Sequence, residues 1–214
     1  MTLGESRCAR SGRAALLHGI YALVEPERRE PIAYVRALLA GGIRLVQVRA
    51  KRGIAHDRLA AIVDLVHAAG GVTIVNDDVA AAALADGVHL GQEDLALHDL
   101  AAVRHCLGDR IIGISCGTPA EARACDPALV DYIGVGPLFA TGSKSDAGLP
   151  IGINGARAVV TATPLPAAAI GGVDRARLTR ARETGATMAA IVSALAGAAD
   201  VAATARAMVA AWTA

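Results

Sequence analysis

The sequence predicts an α/β fold, a single-domain (β/α)8 (TIM) barrel, and three observations carry that expectation. Eight short apolar runs rich in Val, Ile, Leu and Ala alternate with longer amphipathic stretches, the pattern of parallel strands linked by right-handed helical crossovers. The chain has 214 residues, 54% of them hydrophobic, sufficient to bury one core and short for two. An open doubly wound sheet would need a glycine-rich phosphate turn after its first strand, and LVEPERREP, residues 23–31, contains no glycine. Barrels of this kind usually run to about 250 residues, so some helices here must be short.

Residues 1–15 are basic, and their apolar stretch is too short for a signal-peptide core; a loosely held extension is expected there, with the barrel domain over 16–214. The first strand is GIYALV, 19–24, and the second RLVQVR, 44–49. Leu59, Ile62, Val63 and Val66 then recur at i, i+3, i+4 and i+7, the stripe of a core-facing helix. The third strand is VTIVN, 72–76, and DDVAAAALAD, 77–86, leaves room for about two helical turns before GVHL, 87–90. RIIGIS (110–115), YIGVG (132–136), AAAIGG (167–172) and MAAIVSA (188–194) complete the set. Val201, Ala205, Met208 and Trp212 mark the apolar face of a last helix, a packing stripe rather than a cofactor site.

Composition narrows the function. Aromatic residues make up 2% of the chain, which leaves no stacking platform for single-stranded nucleic acid. A net charge of +1 without long runs of one sign gives no footprint for nucleic acid or an anionic membrane. No apolar run reaches 18 residues, so a spanning helix is disfavoured. Cys8, Cys106, Cys116 and Cys125 show no CxxC pair or metal spacing and read as reduced thiols of a cytoplasmic protein. Small molecules are the expected partners, and a homo-oligomer is compatible with the sequence.

In a (β/α)8 barrel the active site lies at the C-terminal ends of the strands. Those ends carry Arg49 and Lys51; Asn76, Asp77 and Asp78; Gln92, Glu93 and Asp94; Ser115 and Thr118; the loop GPLFATGSKSD; Gly171 and Gly172; and Ser193. IGGV and VSAL, after the seventh and eighth strands, offer backbone N–H groups where barrels commonly hold a phosphate. The long sixth loop adds Thr141, Ser143 and Lys144 among glycines that let backbone approach a ligand. Asp77 and Asp94 follow adjacent strands, about 4.8 Å apart, so both can reach one site. Mg²⁺ suits such a pair, because one or two carboxylates hold it while substrate phosphate and water fill its other positions. A diphosphate with its metal would satisfy these acids together with Arg49, Lys51 and Lys144; a ring of structural salt bridges is the alternative.

Taken in order, VQVRAK, VNDD, DGVHLGQED, IIGIS, DYIGVGPLFATGSK, AIGGV and IVSAL resemble the thiamine phosphate synthase family, from about Ile20 to Ala199. The resemblance implies a transferase of thiamine biosynthesis that joins hydroxymethylpyrimidine diphosphate to thiazole phosphate and releases pyrophosphate, with Mg²⁺ as cofactor. It implies Asp77 and Asp94 as metal ligands, and Arg49, Lys51, Asn76 and Lys144 as holders of the diphosphate. Gln47 and Ser115 match positions near the pyrimidine and the leaving diphosphate. Thr141, Ser143 and the amides around Gly172, Val192 and Ser193 match the thiazole-phosphate site. Arg49, Lys51, Lys144 and Ser115 would then take part in catalysis, while Asp78, Glu93 and His89 need no catalytic role.

Four features depart from that family. Ala50 stands where an acidic residue is usual, Ser143 where a threonine is frequent, and Gly117 where a histidine often follows the serine. The short segment after Asp78 bears on how Asp94 sits relative to Asp77. The alternatives are a thiazole tautomerase of the same superfamily, which as a family relies on a histidine in the serine loop, and a non-catalytic barrel that binds a thiamine precursor phosphate.

Overall fold

The computed structural model describes residues 15–143 and 148–214. Most of the expected N-terminal extension and Lys144 lie outside the described residues. Strands β1 (Gly19–Val24), β2 (Leu45–Val48), β3 (Val72–Asn76) and β4 (Gly87–Leu90) form the first half of the barrel, and β5 (Ile111–Cys116), β6 (Tyr132–Val135), β7 (Ala167–Ala169) and β8 (Met188–Ile191) the second. All pair in parallel with their sequence neighbours, and β8 returns to β1 from Gly19↔Met188 to Ala22↔Ile191. Closure leaves no open edge, so every strand has both flanks paired.

The helices are α1 (Pro31–Ala40), α2 (His56–Ala68), α3 (Gln92–Leu95), α4 (Leu100–Leu107), α5 (Pro119–Ala124), α6 (Gly152–Val160), α7 (Leu178–Arg182), α8 (Ser193–Ala196) and α9 (Val201–Thr213). Helix α1 starts where Glu30 accepts from the backbone N–H groups of Ile32 and Ala33 at 3.2 and 2.7 Å, with Pro31 at its first position. The stripe Leu59, Ile62, Val63 and Val66 on α2 is buried, as is Val201, Ala205, Met208 and Trp212 on α9. Economy of length comes from the crossovers: α5 has 6 residues and α7 has 5. Between β3 and β4 the two expected turns shrink to one 3-10 turn, Ala81–Leu84. Asp78 accepts from Ala81 N–H at 2.9 Å there, and the tighter turn suits a segment that must return within ten residues.

Period-2 alternation divides each strand between two cores. Leu23, Leu45, Ile74, Ile111, Tyr132, Met188 and Ala190 fill the barrel interior, while Val46, Val75, Ile112, Ile133 and Ile191 face the helices. The N-terminal end is tied by two buried carboxylates. Asp86, 5% exposed, accepts from Thr73 N–H and meets His67 Nε2, both at 2.8 Å. Asp131, 7% exposed, accepts from Ile112 N–H at 2.8 Å and from Arg104 at 2.6 Å.

Candidate active site

At the opposite end, where the strands finish, a cavity of about 210 Å³ opens among the loops. It gathers Arg49 from the end of β2, Ser115 from β5, Thr141 and Ser143 from the loop after β6, Gly172 after β7, and Val192 and Ser193 after β8. These seven expected site residues span the sequence from 49 to 193. Gln47, Lys51, Asn76, Asp77 and Asp94 are not in the lining. Gln47 is buried on the interior face of β2, two residues below Arg49, and donates to Tyr21 Oη at 2.8 Å. Lys51 is exposed in the turn after β2.

Arg49 is held by an acid that the sequence reading passed over. Glu25, just after β1 and 5% exposed, accepts from Arg49 Nη1 at 2.6 Å and also from Arg28 Nε. The guanidinium is thus anchored on one side, and Arg49 lines the cavity. The signal was present in LVEPERR, where Glu25 directly follows an apolar strand.

Asp77 has φ of +64°, the one non-glycine residue with positive φ among the described residues. Aspartate tolerates this left-handed conformation better than most residues, and such outliers cluster at functional sites. Its backbone N–H donates to His89 C=O at 2.9 Å, tying the end of β3 to β4, and its carboxylate accepts from the Asn76 amide. Asp94, half-buried in the single turn α3, accepts from Gly91 N–H through Oδ2 at 2.8 Å. Both carboxylates therefore stand on adjacent loops above adjacent strands, and their all-oxygen donor set fits a small hard cation. Among the described residues no three metal-ligating side chains cluster, so such a cation would draw on this pair together with oxygens from a ligand and water.

The corner of the cavity at Gly171 and Gly172 is built from backbone. Gly171 and Gly172 have φ of +96° and +63°, and a Cβ on them would lie 2.4 Å from Pro137 Cβ and 2.6 Å from Ala140 C=O. Glycine is required there so that the turn after β7 can press against the loop after β6. That loop is pinned by N–H donation from Leu138 to Ile170 C=O at 2.8 Å and from Phe139 to Gly171 C=O at 3.0 Å. Ser143 N–H donates to Thr141 Oγ1 at 3.2 Å, which places the hydroxyl and amide donors of that loop side by side.

The cavity also holds residues without an assigned role. Gln92 lines it and donates to Ser115 C=O, and Gly117 offers it only backbone. Cys116 lines it too, its Sγ 3.6 Å from Cys125 Sγ. The contact with Cys125 and burial push the Cys116 thiol well above its ordinary value, which keeps it protonated and a poor nucleophile. His89, inside β4, meets Ser115 Oγ through Nε2 at 3.0 Å and Tyr132 Oη through Nδ1 at 2.9 Å.

Comparison with known proteins places these features in context. The family model described as thiamine monophosphate synthase matches residues 20–195. The chain is 44% identical over 184 residues to the thiamine-phosphate synthase of Moorella thermoacetica, covering 83% of this chain and 86% of that protein. It is 39% identical over 209 residues to that of Anaeromyxobacter dehalogenans, covering 95% and 92%. Its fold is similar to that of the thiamine phosphate pyrophosphorylase from Pyrococcus furiosus, with a TM-score of 0.83, 28% identity, and 92% and 96% of the two chains covered.

Proposed function

Because the chain belongs to the thiamine monophosphate synthase family and is an enzyme, a transferase, we propose that it joins hydroxymethylpyrimidine diphosphate to thiazole phosphate, giving thiamine phosphate and pyrophosphate. The observation that carries this reading is the single cavity lined at once by Arg49, Ser115, Thr141, Ser143, Gly172 and Ser193. A cation and hydroxyl on one side and a glycine-turn corner on the other are what two phosphorylated substrates require.

The bond to be broken joins a benzylic-type carbon of an electron-rich aminopyrimidine to a diphosphate oxygen. Such a carbon tolerates cationic character, so departure of the diphosphate runs ahead of attack by the thiazole nitrogen. Arg49, fixed by Glu25, meets the growing negative charge without first having to reorient. Lys51, Lys144 and Asn76 hold the same diphosphate, and Ser115 donates to it. Thr141, Ser143 and the amides around Gly172, Val192 and Ser193 hold the thiazole phosphate, aligning its nitrogen with the reacting carbon. Walls such as Leu23, Pro137, Ile170 and Ala190 keep water from the carbocation.

Asp77 and Asp94 are the residues that would hold Mg²⁺, which supplies charge neutralisation to the departing diphosphate when bound. Gly117 brings no side chain to act as a base in the serine loop, the feature that separates this reading from a tautomerase.

The test is incubation of the purified protein with both substrates and Mg²⁺. Thiamine phosphate and pyrophosphate should form in equal amounts. Folded, metal-replete protein that makes neither would overturn the proposal, and calorimetric binding of the substrates without turnover would point to the precursor-binding barrel instead.

A further inference from the structure

The interior of a barrel of this kind is ordinarily a plug of branched apolar side chains. Here a line of polar groups crosses it. Gln47 Nε2 donates to Tyr21 Oη at 2.8 Å; Tyr21 Oη and Tyr132 Oη are 2.8 Å apart; Tyr132 Oη lies 2.9 Å from His89 Nδ1; and His89 Nε2 lies 3.0 Å from Ser115 Oγ. Five different strands contribute, β2, β1, β6, β4 and β5 in that order. Gln47, Tyr21 and Tyr132 are 3%, 2% and 0% exposed, so the line is closed off from bulk solvent.

Two glycines inside strands make room for the line. A Cβ on Gly113 would lie 2.1 Å from Tyr132 Cζ, and one on Gly134 would lie 2.9 Å from His89 Cε1. Glycine weakens a strand interior and often marks a close approach. Here both glycines accommodate rings of the same hydrogen-bonded line.

The line has a direction. An amide nitrogen only donates, so Tyr21 accepts from Gln47, and the arrangement that gives each proton of the line an acceptor has Tyr21 donating to Tyr132. Tyr132 then donates to His89 Nδ1, which leaves the imidazole proton on Nε2, aimed at Ser115. Run the other way, Tyr21 would receive from both neighbours and its own buried proton would have no acceptor in the line, a costly arrangement. Burial pushes both phenols above their ordinary value of 10.0, so both remain donors.

Resting on the transferase reading above, we propose that His89 is a positioning residue: held as the neutral Nε2–H tautomer by Tyr132, it donates to Ser115 Oγ and thereby turns the Ser115 hydroxyl proton into the cavity, toward the departing diphosphate. No proton is transferred. The imidazole acts by orientation, and the five-residue line sets that orientation from Gln47 onward.

The tautomer is read directly from long-range ¹H–¹⁵N spectra of the full chain labelled at histidine, with the His89 signals assigned by their loss in His89→Gln. The wild type should show the Nε2–H pattern, and Tyr132→Phe should shift it toward a mixture. An Nδ1–H or imidazolium pattern in the wild type would overturn the proposal, whether or not the protein makes thiamine phosphate. In turnover, His89→Leu should lower kcat by ~10- to 100-fold, less than outright loss of a charge-stabilising donor costs at its largest. His89→Gln, whose amide can still donate to Ser115, should recover much of that loss. Ser115→Ala combined with His89→Leu should be no slower than Ser115→Ala alone, and independent, multiplying losses would equally overturn it.

Discussion

At the N-terminal end of the barrel, Asp86 and Asp131 each stand one residue before a strand, and each takes a backbone N–H from the preceding neighbour strand together with a side chain, His67 or Arg104. At the C-terminal end, Asp77 and Asp94 follow strands, and their carboxylates accept from the Asn76 amide and from Gly91 N–H. The lower pair is buried, whereas Asp77 is exposed and Asp94 half-buried. The same residue type thus closes the sheet where it is buried below the strands and stands on an exposed or half-buried loop above them. Burial distinguishes the first setting from the second.

The largest way to break this contrast is at its lower end. Asp131→Ala leaves Arg104, whose side chain is 12% exposed, without its carboxylate, and breaking such a buried pair costs ~3–5 kcal/mol. Denaturant unfolding should show that loss while the folded fraction keeps its specific activity. A loss below ~1 kcal/mol, the scale of an exposed pair, would mean that the lower carboxylates are not structural.

The complementary change is Lys144→Ala, in the stretch of sequence between β6 and β7. If Lys144 meets charge that grows as the diphosphate leaves, the single-turnover rate should fall ~10²- to 10³-fold with the unfolding midpoint unchanged. A normal rate at saturating substrate with a raised KM would assign it to substrate capture alone.

Asp77→Asn and Asp94→Asn sharpen the contrast within the upper end. Asparagine tolerates the left-handed backbone of Asp77, so the fold should hold, while the Mg²⁺ needed for half-maximal activity should rise several-fold because a charged oxygen ligand is lost. Unchanged metal dependence in both variants would leave the two acids as members of a surface charge ring.

Glu30 gives the smallest effect and shows that an upper-end acid can also be structural. Its carboxyl is held below its ordinary value of 4.5, first by the N–H of Ala33 and then by that of Ile32. A lowered folded-state value means that the contribution is present above the unfolded value and lost as pH falls through the folded one. Glu30→Gln should therefore be less stable than wild type at neutral pH, and the gap should close on acidification below about pH 4. A gap that persists unchanged into strong acid would assign the difference to the neutral capping bond.

Much of the fold was legible because its causes are local. GIYALV, VTIVN and GVHL are strands with the bounds read from their apolar runs, and the helical stripes at Leu59 and Val201 are buried as their spacing requires. The residues following each strand could also be named, since their rim position depends only on chain order. Less local features escaped: the single 3-10 turn before β4, the grip of Glu25 on Arg49, and the partners of His89, which the resemblance left without a catalytic role.

By itself, then, the sequence determined the alternation of strand and helix and which residues end or follow each strand on its C-terminal side, Arg49, Asp77, Asp94, Ser115 and Ser193 among them. Tertiary structure alone decided that Gln47 reaches Tyr21, that Tyr21 reaches Tyr132 111 positions away, and that Arg49 and Ser193 line one cavity. Side-chain alternation repeats every two residues and is written into any short stretch. Which inward side chains meet across a closed barrel depends on the register and tilt of all eight strands together, and closure couples these so that no single stretch contains them.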